Sequence, residues 1–263
     1  MTGIEHDLGY RGIMPRAFVD IFELTSAILD QDARSKIVVR ASYIEIYNEE
    51  IRDLLSSNPK KKLTLHEKPK VGVHVTGLTE HVCQTDEDLN ELLRLGMKNR
   101  ETASTQMNAV SSRSHSLFQL KIEKITDDET QFGSGGPRVK LRVSKLNMVD
   151  LAGSEKTAKS GSQGDRFKEA TKINLSLTTL CHVISALTSK QSTHIPYRDS
   201  TLTRMLQDSL GGNTKTLMIS TIGPSEHNYN ESMSTLRQAS RAKKIKNQPK
   251  INENLKDALL LEY

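Results

Sequence analysis

Apolar and polar residues alternate along this chain with two periods, and the period switches several times. "PRAFVDIFELTSAIL" (residues 15–29) has apolar residues at helical spacing behind a proline suited to a first helical turn. "KIVVRASYIEIYN" then turns to β-branched and aromatic residues, which predicts a strand. A turn-rich "SSNPKKK" leads to short extended pieces within "KLTLHEKPKVGVHVTGL". "TDEDLNELLRLGMKNR" predicts a helix that Thr85 can cap, with acids in its first turn and basic residues at its close.

The second half keeps the alternation. "SLFQLKIEKI" alternates at Phe118, Leu120 and Ile122, and "RVKLRVSKLNMVD" at Val139, Leu141 and Val143. The polar, Gly-rich "TDDETQFGSGGP" between them predicts a hairpin with a long loop. From Arg166 a long helix is expected, with Ile173, Leu177, Leu180, Ile184 and Leu187 on one core-facing side. A shorter helix near "TLTRMLQDSL", a Gly-Gly-Asn turn, a buried strand "TLMISTIG" and a last helix to about Lys244 follow. The final "IKNQPKINENLKDALLLEY" is polar and proline-containing, and predicts a linker leading into a new helix. Strands interleaved with helices in this way predict one α/β domain.

Composition narrows the function classes. The 263 residues are 35% hydrophobic, enough for a packed core, and no apolar run approaches a membrane span. The N-terminus lacks the zones of a signal peptide. Cys83 and Cys181 fit neither a disulfide framework nor a zinc site, so a reduced cytosolic protein is expected. A net charge of +5 points to an acidic partner; with 4% aromatics and no stacking motif, an acidic protein surface fits better than nucleic acid.

Two polar stretches carry candidate chemistry. In "NMVDLAGSEK" a strand ends on Asp150, a carboxylate able to hold magnesium through water. Three residues on, Gly153 allows a backbone N–H to approach a phosphate oxygen. Alone, this is also what an ordinary capped strand-to-loop turn looks like. "NAVSSRSH" (residues 108–115) clusters hydroxyls, which can ligate magnesium, with an arginine able to pair with Glu155. A Ser–His hydrolase is the rival, but no G-x-S-x-G elbow frames these serines.

Together the stretches are more specific. "NAVSSRSH", "LNMVDLAGSEK", "KINLSLTTL" and "HIPYRDSTLTRMLQDSLGGNTKT", in that order and at these spacings, resemble kinesin motor domains over essentially the whole chain. The tail "RAKKIKNQPKINENLKDALL" resembles the heterotrimeric kinesin-II branch of intraflagellar transport, and "RGIMPRAFVDIF" the segment that follows the family's phosphate loop. The resemblance implies a P-loop NTPase motor fold of the α/β class, a mixed central sheet with helices on both faces, incomplete at its N-terminus. It implies a motor domain over residues 1–244, a neck linker over 245–257 and the start of a neck helix over 258–263.

It also implies a microtubule-stimulated ATPase using ATP and Mg2+. Asn108, Ser111, Ser112 and Arg113 would form switch I, with Ser112 on magnesium and Ser111 placing the attacking water. Asp150 and Gly153 would be the magnesium and γ-phosphate sensors of switch II, and Arg113 would bridge to Glu155. Lys159, Lys172, Arg198 and Arg204 would face acidic tubulin, and Asn252 would latch the docked linker. A dimer with another kinesin chain through a neck coiled coil, a cytoplasmic, cytoskeletal location with cilium or flagellum as an extension, no nucleic acid and no membrane insertion complete the expectation. The other reading is a non-catalytic microtubule-binding or regulatory module.

The sequence departs from that pattern in one large respect. None of the 15 glycines is followed by lysine, so no G-x-x-x-x-G-K-[ST] is present, and the loop is expected upstream of Met1. Strands that flank the loop's own strand would then lose partners, so these residues alone are expected to fold poorly and bind ATP negligibly. Smaller departures are Cys181 in place of a usual glycine, Gln238 and Ser240 for Tyr and Asn, and Leu255 for a linker proline.

Overall fold

The longest strand-like run becomes the axis of the sheet. In this computed structural model, residues 1–4, 7–32, 34–58, 61–68, 72–105, 113–127, 138–153, 165–189 and 191–257 are described. β1 (Lys36–Tyr47) is buried along most of its length because both of its faces are covered. It pairs with β6 (His115–Asp127) from Lys36↔Ile125 to Ile46↔His115. β6 forms the predicted hairpin with β7 (Arg138–Asp150), in register from Ser116↔Asp150 to Asp127↔Val139. On the other side of β1 lie β2 (Glu50–Asp53), β3 (Lys62–Lys68) and β4 (Gly72–Thr76), while β5 (His81–Cys83) pairs with the first half of β1. β8 (Glu253–Asp257) closes the far edge against β7.

All pairings among the described strands are antiparallel, where a mixed sheet is expected from the sequence. Several neighbours here are hairpin partners, and none is joined by a right-handed crossover to a parallel strand.

The expected placement of helices on both faces holds. On one face α1 (Ile13–Gln31) and α2 (Asp86–Thr105) contribute Met14, Phe18, Leu89 and Leu93 to a core with Ala41, Tyr43, Phe118, Leu120 and Met148. Thr85 caps α2 as predicted, its Oγ1 accepting from Asp88 N at 3.1 Å, and the Asp88 carboxylate returns bonds to Gln84 N and Thr85 N. Gly96 lets this helix lie directly on the sheet, since a Cβ there would come within 2.1 Å of the Tyr43 ring.

The opposite face is covered by α3 (Asp165–Thr188) and α4 (Thr201–Met205), with Leu180, Val183, Ile184 and Leu202 packed on Ile44, Ile46, Ile51 and Leu117. The expected α3 stripe is thus observed at Leu180 and Ile184, with Leu187 packed beside them. Leu177 is half-buried, and the side chain of Ile173 lies outside the described set. α4 begins where a two-residue hairpin turn meets it. Asn48 and Glu49 both have positive φ (56° and 67°), and Glu49 Oε2 accepts from Thr201 N at 2.6 Å. α5 (Tyr229–Ala242) ends slightly before the expected boundary.

One expectation fails. The stretch "TLMISTIG" is neither a strand nor buried: Leu217 is 80% and Ile219 67% exposed. Its alternating apolar residues find no neighbouring strand among the described residues, so nothing converts strand propensity into a ladder. The tail is extended over 245–257, where a linker is expected, and carries β8 there, while the helix expected over 258–263 lies outside the described residues. Leu255 lies opposite Lys140 in that ladder, at the position where a proline would lack an N–H.

Candidate functional site

The start of β6 and the end of β7 lie side by side, because Ser116 is paired with Asp150. This register brings three predicted residues, Arg113, Asp150 and Gly153, to one end of the sheet. The Asp150 side chain is 53% exposed, so its carboxylate faces solvent at the strand end. Asn108, Ser111, Ser112, Glu155 and Lys159 lie outside the described residues, and with them the Arg113–Glu155 bridge. Lys172 is in α3, with its side chain outside the described set.

The site rests on two buried polar groups that the sequence does not announce. Arg100, near the end of α2, inserts its guanidinium behind the strand ends. Its Nη2 donates to Ser114 O at 2.9 Å and its Nη1 to Ser116 Oγ at 3.3 Å. Its Nη1 lies 3.7 Å from Asp150 Oδ2, and its Nε 3.7 Å from Glu45 Oε1. Glu45 is fully buried in β1, with Arg52 Nη1 3.7 Å from its second oxygen and no hydrogen bond to either oxygen. A carboxylate inside "YIEIY" is a sequence-level signal of such a network, because a strand covered on both faces has no exposed side for a charge.

His115 is the second group. Its Nδ1 accepts from Ala152 N at 2.9 Å, and its Nε2 meets Ser176 Oγ on α3 at 2.8 Å. Burial pushes the imidazole down to about 4, helped by the Arg100 charge and opposed by Asp150. The ring is therefore neutral in the fold down to about that pH, whereas in the unfolded chain it protonates near the ordinary histidine value of 6.5. The unfolded state binds the extra proton first, so stability falls as pH drops below 6.5 and this loss levels off near 4. Unfolding free energies of the complete native protein from urea titrations at pH 7.5 and 5.0 should differ by about 2 kcal/mol, with the lower midpoint at pH 5.0. Equal midpoints would contradict a buried neutral His115.

The donor set suits a hydrated magnesium ion at Asp150: an exposed carboxylate, held but not consumed by a guanidinium 3.7 Å away. A phosphate cradle is not evident among the described residues, in line with the absence of a Gly-Lys pair.

Of the predicted track-facing residues, Arg198 is exposed and pairs with Glu67 at 3.0 Å. Arg204 lines a shallow pocket with Glu49, Leu63, Thr64 and Arg198, and its Nε is buried without a hydrogen-bond partner. Asn252 lies on the edge of the sheet. Its backbone oxygen accepts from Val143 N at 3.0 Å and its Oδ1 from Asn213 Nδ2 at 2.8 Å. Asn247, which the sequence reading passed over, anchors the same segment: its Oδ1 accepts from Gly211 N and its Nδ2 donates to Thr214 O, both at 2.7 Å.

Comparison with known proteins is consistent across sequence and structure. The family description "Kinesin motor domain" matches residues 1–245. Kinesin-like protein KIF3C of Pongo abelii is 47% identical over 286 residues, covering all of this chain and 35% of the relative. KIF3C of Mus musculus is 47% identical over 288 residues with the same coverage. The chain therefore spans about a third of the length of these curated relatives. A solved structure of a fast kinesin superposes with a TM-score of 0.82 at 44% identity, covering all of this chain and 71% of its own. A KIF14 dimer with AMP-PNP in complex with a microtubule gives 0.81 at 40% identity, covering 93% of this chain and 68% of its own. On the family match and these identities, the chain belongs to the kinesin motor-domain family.

Proposed function

We propose that the protein is an ATP-driven microtubule motor of the kinesin-II type. The observation that carries this reading is the meeting of Arg113, Asp150 and Gly153 at one end of the sheet, with the turn after β7 hydrogen-bonded through His115 to α3. Asp150 would hold magnesium through water and Ser112 directly. Ser111 and Asn108 would place the water, Gly153 would sense the γ-phosphate, and Arg113 would close onto Glu155. Bound magnesium supplies charge stabilisation for the transferring phosphoryl group, and these residues position and enclose it.

Arg198, Arg204, Lys159 and Lys172 would meet acidic tubulin, in an attachment that weakens with salt. Residues 1–244 would be the motor, 245–257 the neck linker and 258–263 the start of a neck helix. The family match ending at 245 supports that boundary. Contacts at Asn247, Asn252 and β8 along β7 support a docked linker latched by Asn252. Dimerisation, intraflagellar transport and a ciliary location belong to the same proposal.

The absence of a Gly-Lys pair favours one competing reading, a non-catalytic microtubule-binding module. Microtubule-stimulated ATPase of the complete native protein separates the two. The motor reading expects activity that Asp150→Ala lowers at least about 100-fold, with the 263 residues alone holding no ATP at micromolar concentration. Tight track binding with no hydrolysis in the native protein would support the module.

A further inference from the structure

His115 has no part in the phosphoryl chemistry proposed above, yet it joins the two elements that a motor must make communicate. It is 3% exposed, and its neutral ring has one arrangement that satisfies both neighbours. Nδ1 accepts the Ala152 N–H at 2.9 Å, so the ring proton is on Nε2 and is donated to Ser176 Oγ at 2.8 Å. Ala152 lies between Asp150 and Gly153. Ser176 is itself 2% exposed and stands one helical turn before Leu180, on the side of α3 packed into the core. We propose that His115 is a positioning residue that ties the turn at residues 151–153 to α3, so that turn and helix change place together.

The physical argument is one of satisfaction and rigidity. The imidazole is planar and rigid, and its two nitrogens point away from each other in the ring plane, one toward each neighbour. If the turn moves and the ring does not follow, a buried N–H and a buried ring nitrogen are left unpaired, which is unfavourable for both. If the ring follows, Ser176 must follow as well or its bond to the ring is broken. Burial that keeps the ring neutral down to about pH 4 maintains the same tautomer through the neutral range. A histidine that merely fills the core would need neither bond to run between these two elements.

The proposal rests on the motor reading, and its test is built so that the two can fail separately. The complete native protein is compared with Ser176→Ala, which removes the far partner, and His115→Asn, which keeps an acceptor for Ala152 but cannot reach Ser176. The first readout is the ratio of microtubule affinities with a non-hydrolysable ATP analogue and with ADP. Each variant should reduce this ratio about fivefold to tenfold, the double variant no further than either single one. For Ser176→Ala, nucleotide affinity without microtubules should change by less than about twofold. The second readout is amide hydrogen exchange at Ala152, which Ser176→Ala should accelerate although the substitution lies on another element.

An unchanged ratio with a lowered melting temperature would overturn the proposal in favour of simple packing, as would additive effects in the double variant. Should His115→Asn fail to fold, Ser176→Ala alone decides. A native protein whose track affinity ignores nucleotide overturns the motor reading and the coupling with it. Ala152 exchange indifferent to Ser176→Ala overturns the bridge itself.

Discussion

Replacing Arg100 by leucine is expected to cost the complete native protein about 3 kcal/mol or more of folding stability, one of the two largest effects foreseen. The loss comes from what the substitution leaves behind. Glu45 is fully buried with both oxygens lacking a hydrogen bond, and after the change Arg52 Nη1, 3.7 Å away, is the one cation left beside it among the described residues. Ser114 and Ser116 lose their donors as well. Removing Glu45 along with Arg100, in a Glu45→Leu, Arg100→Leu double variant, should recover a large part of the loss, because the pair is costly mainly when broken. Arg100→Lys retains charge without the fork, so it should fall in between. Urea unfolding of the four proteins checks the order. A double variant as unstable as Arg100→Leu would show that the serine contacts, not the buried charge, hold this end of the sheet.

Phe118→Ala is the other large effect, about 3–5 kcal/mol. Phe118 is fully buried in the first third of β6, with ring centroids 5.3 Å from Phe18 and 5.2 Å from Tyr43 in tilted and edge-on geometry. It is the point where α1, β1 and β6 meet, so truncation opens a cavity lined by three elements. Gly96 brings α2 against the same Tyr43, which leaves little freedom for the cavity to collapse. A loss of that size is a large part of a typical domain's 5–15 kcal/mol. Phe118→Leu should cost less, in proportion to the volume retained. Equal losses for Ala and Leu would mean that aromatic geometry, rather than filled volume, is what the site needs.

How much of this was legible in the sequence follows from what periodicity can report. The hairpin of β6 and β7, the helices α1 and α2 and the Leu180–Ile184 face of α3 have strong, uninterrupted periods, and they appear where expected. "TLMISTIG" has an equally good strand pattern and is exposed. Alternation says what a segment can do in a sheet, not whether a neighbouring strand is there to pair with it. The tail is a different case: it is extended where a linker is expected, and the helix expected over 258–263 lies outside the described residues. The tail's polar, proline-containing composition hides a strand that exists because β7 offers an edge and Asn213, Arg142 and Lys140 hold Asn252 and Glu253 against it.

At the site, the sequence announced Asp150, Gly153 and Arg113 through motif spacing, but not what supports them. Arg100 reads as one more basic residue at a helix end, and Glu45, although a carboxylate inside "YIEIY" signals a buried charge, has no partner that a local pattern names. Only the cover on both faces of β1 turns these two into a buried ion pair. His115 stood in a motif that named its neighbours and gave it no role. Its function depends on Ala152 and Ser176, 37 and 61 residues away in sequence, which no local pattern connects.

The most direct test of the motor reading is co-sedimentation of the complete native protein with microtubules, once with a non-hydrolysable ATP analogue and once with ADP. A nucleotide-gated motor predicts at least about tenfold tighter binding with the analogue, a coupling of roughly 1.4 kcal/mol, and attachment that weakens in both states as salt rises. Equal affinity with either nucleotide would contradict it and leave a track-binding module with no switch.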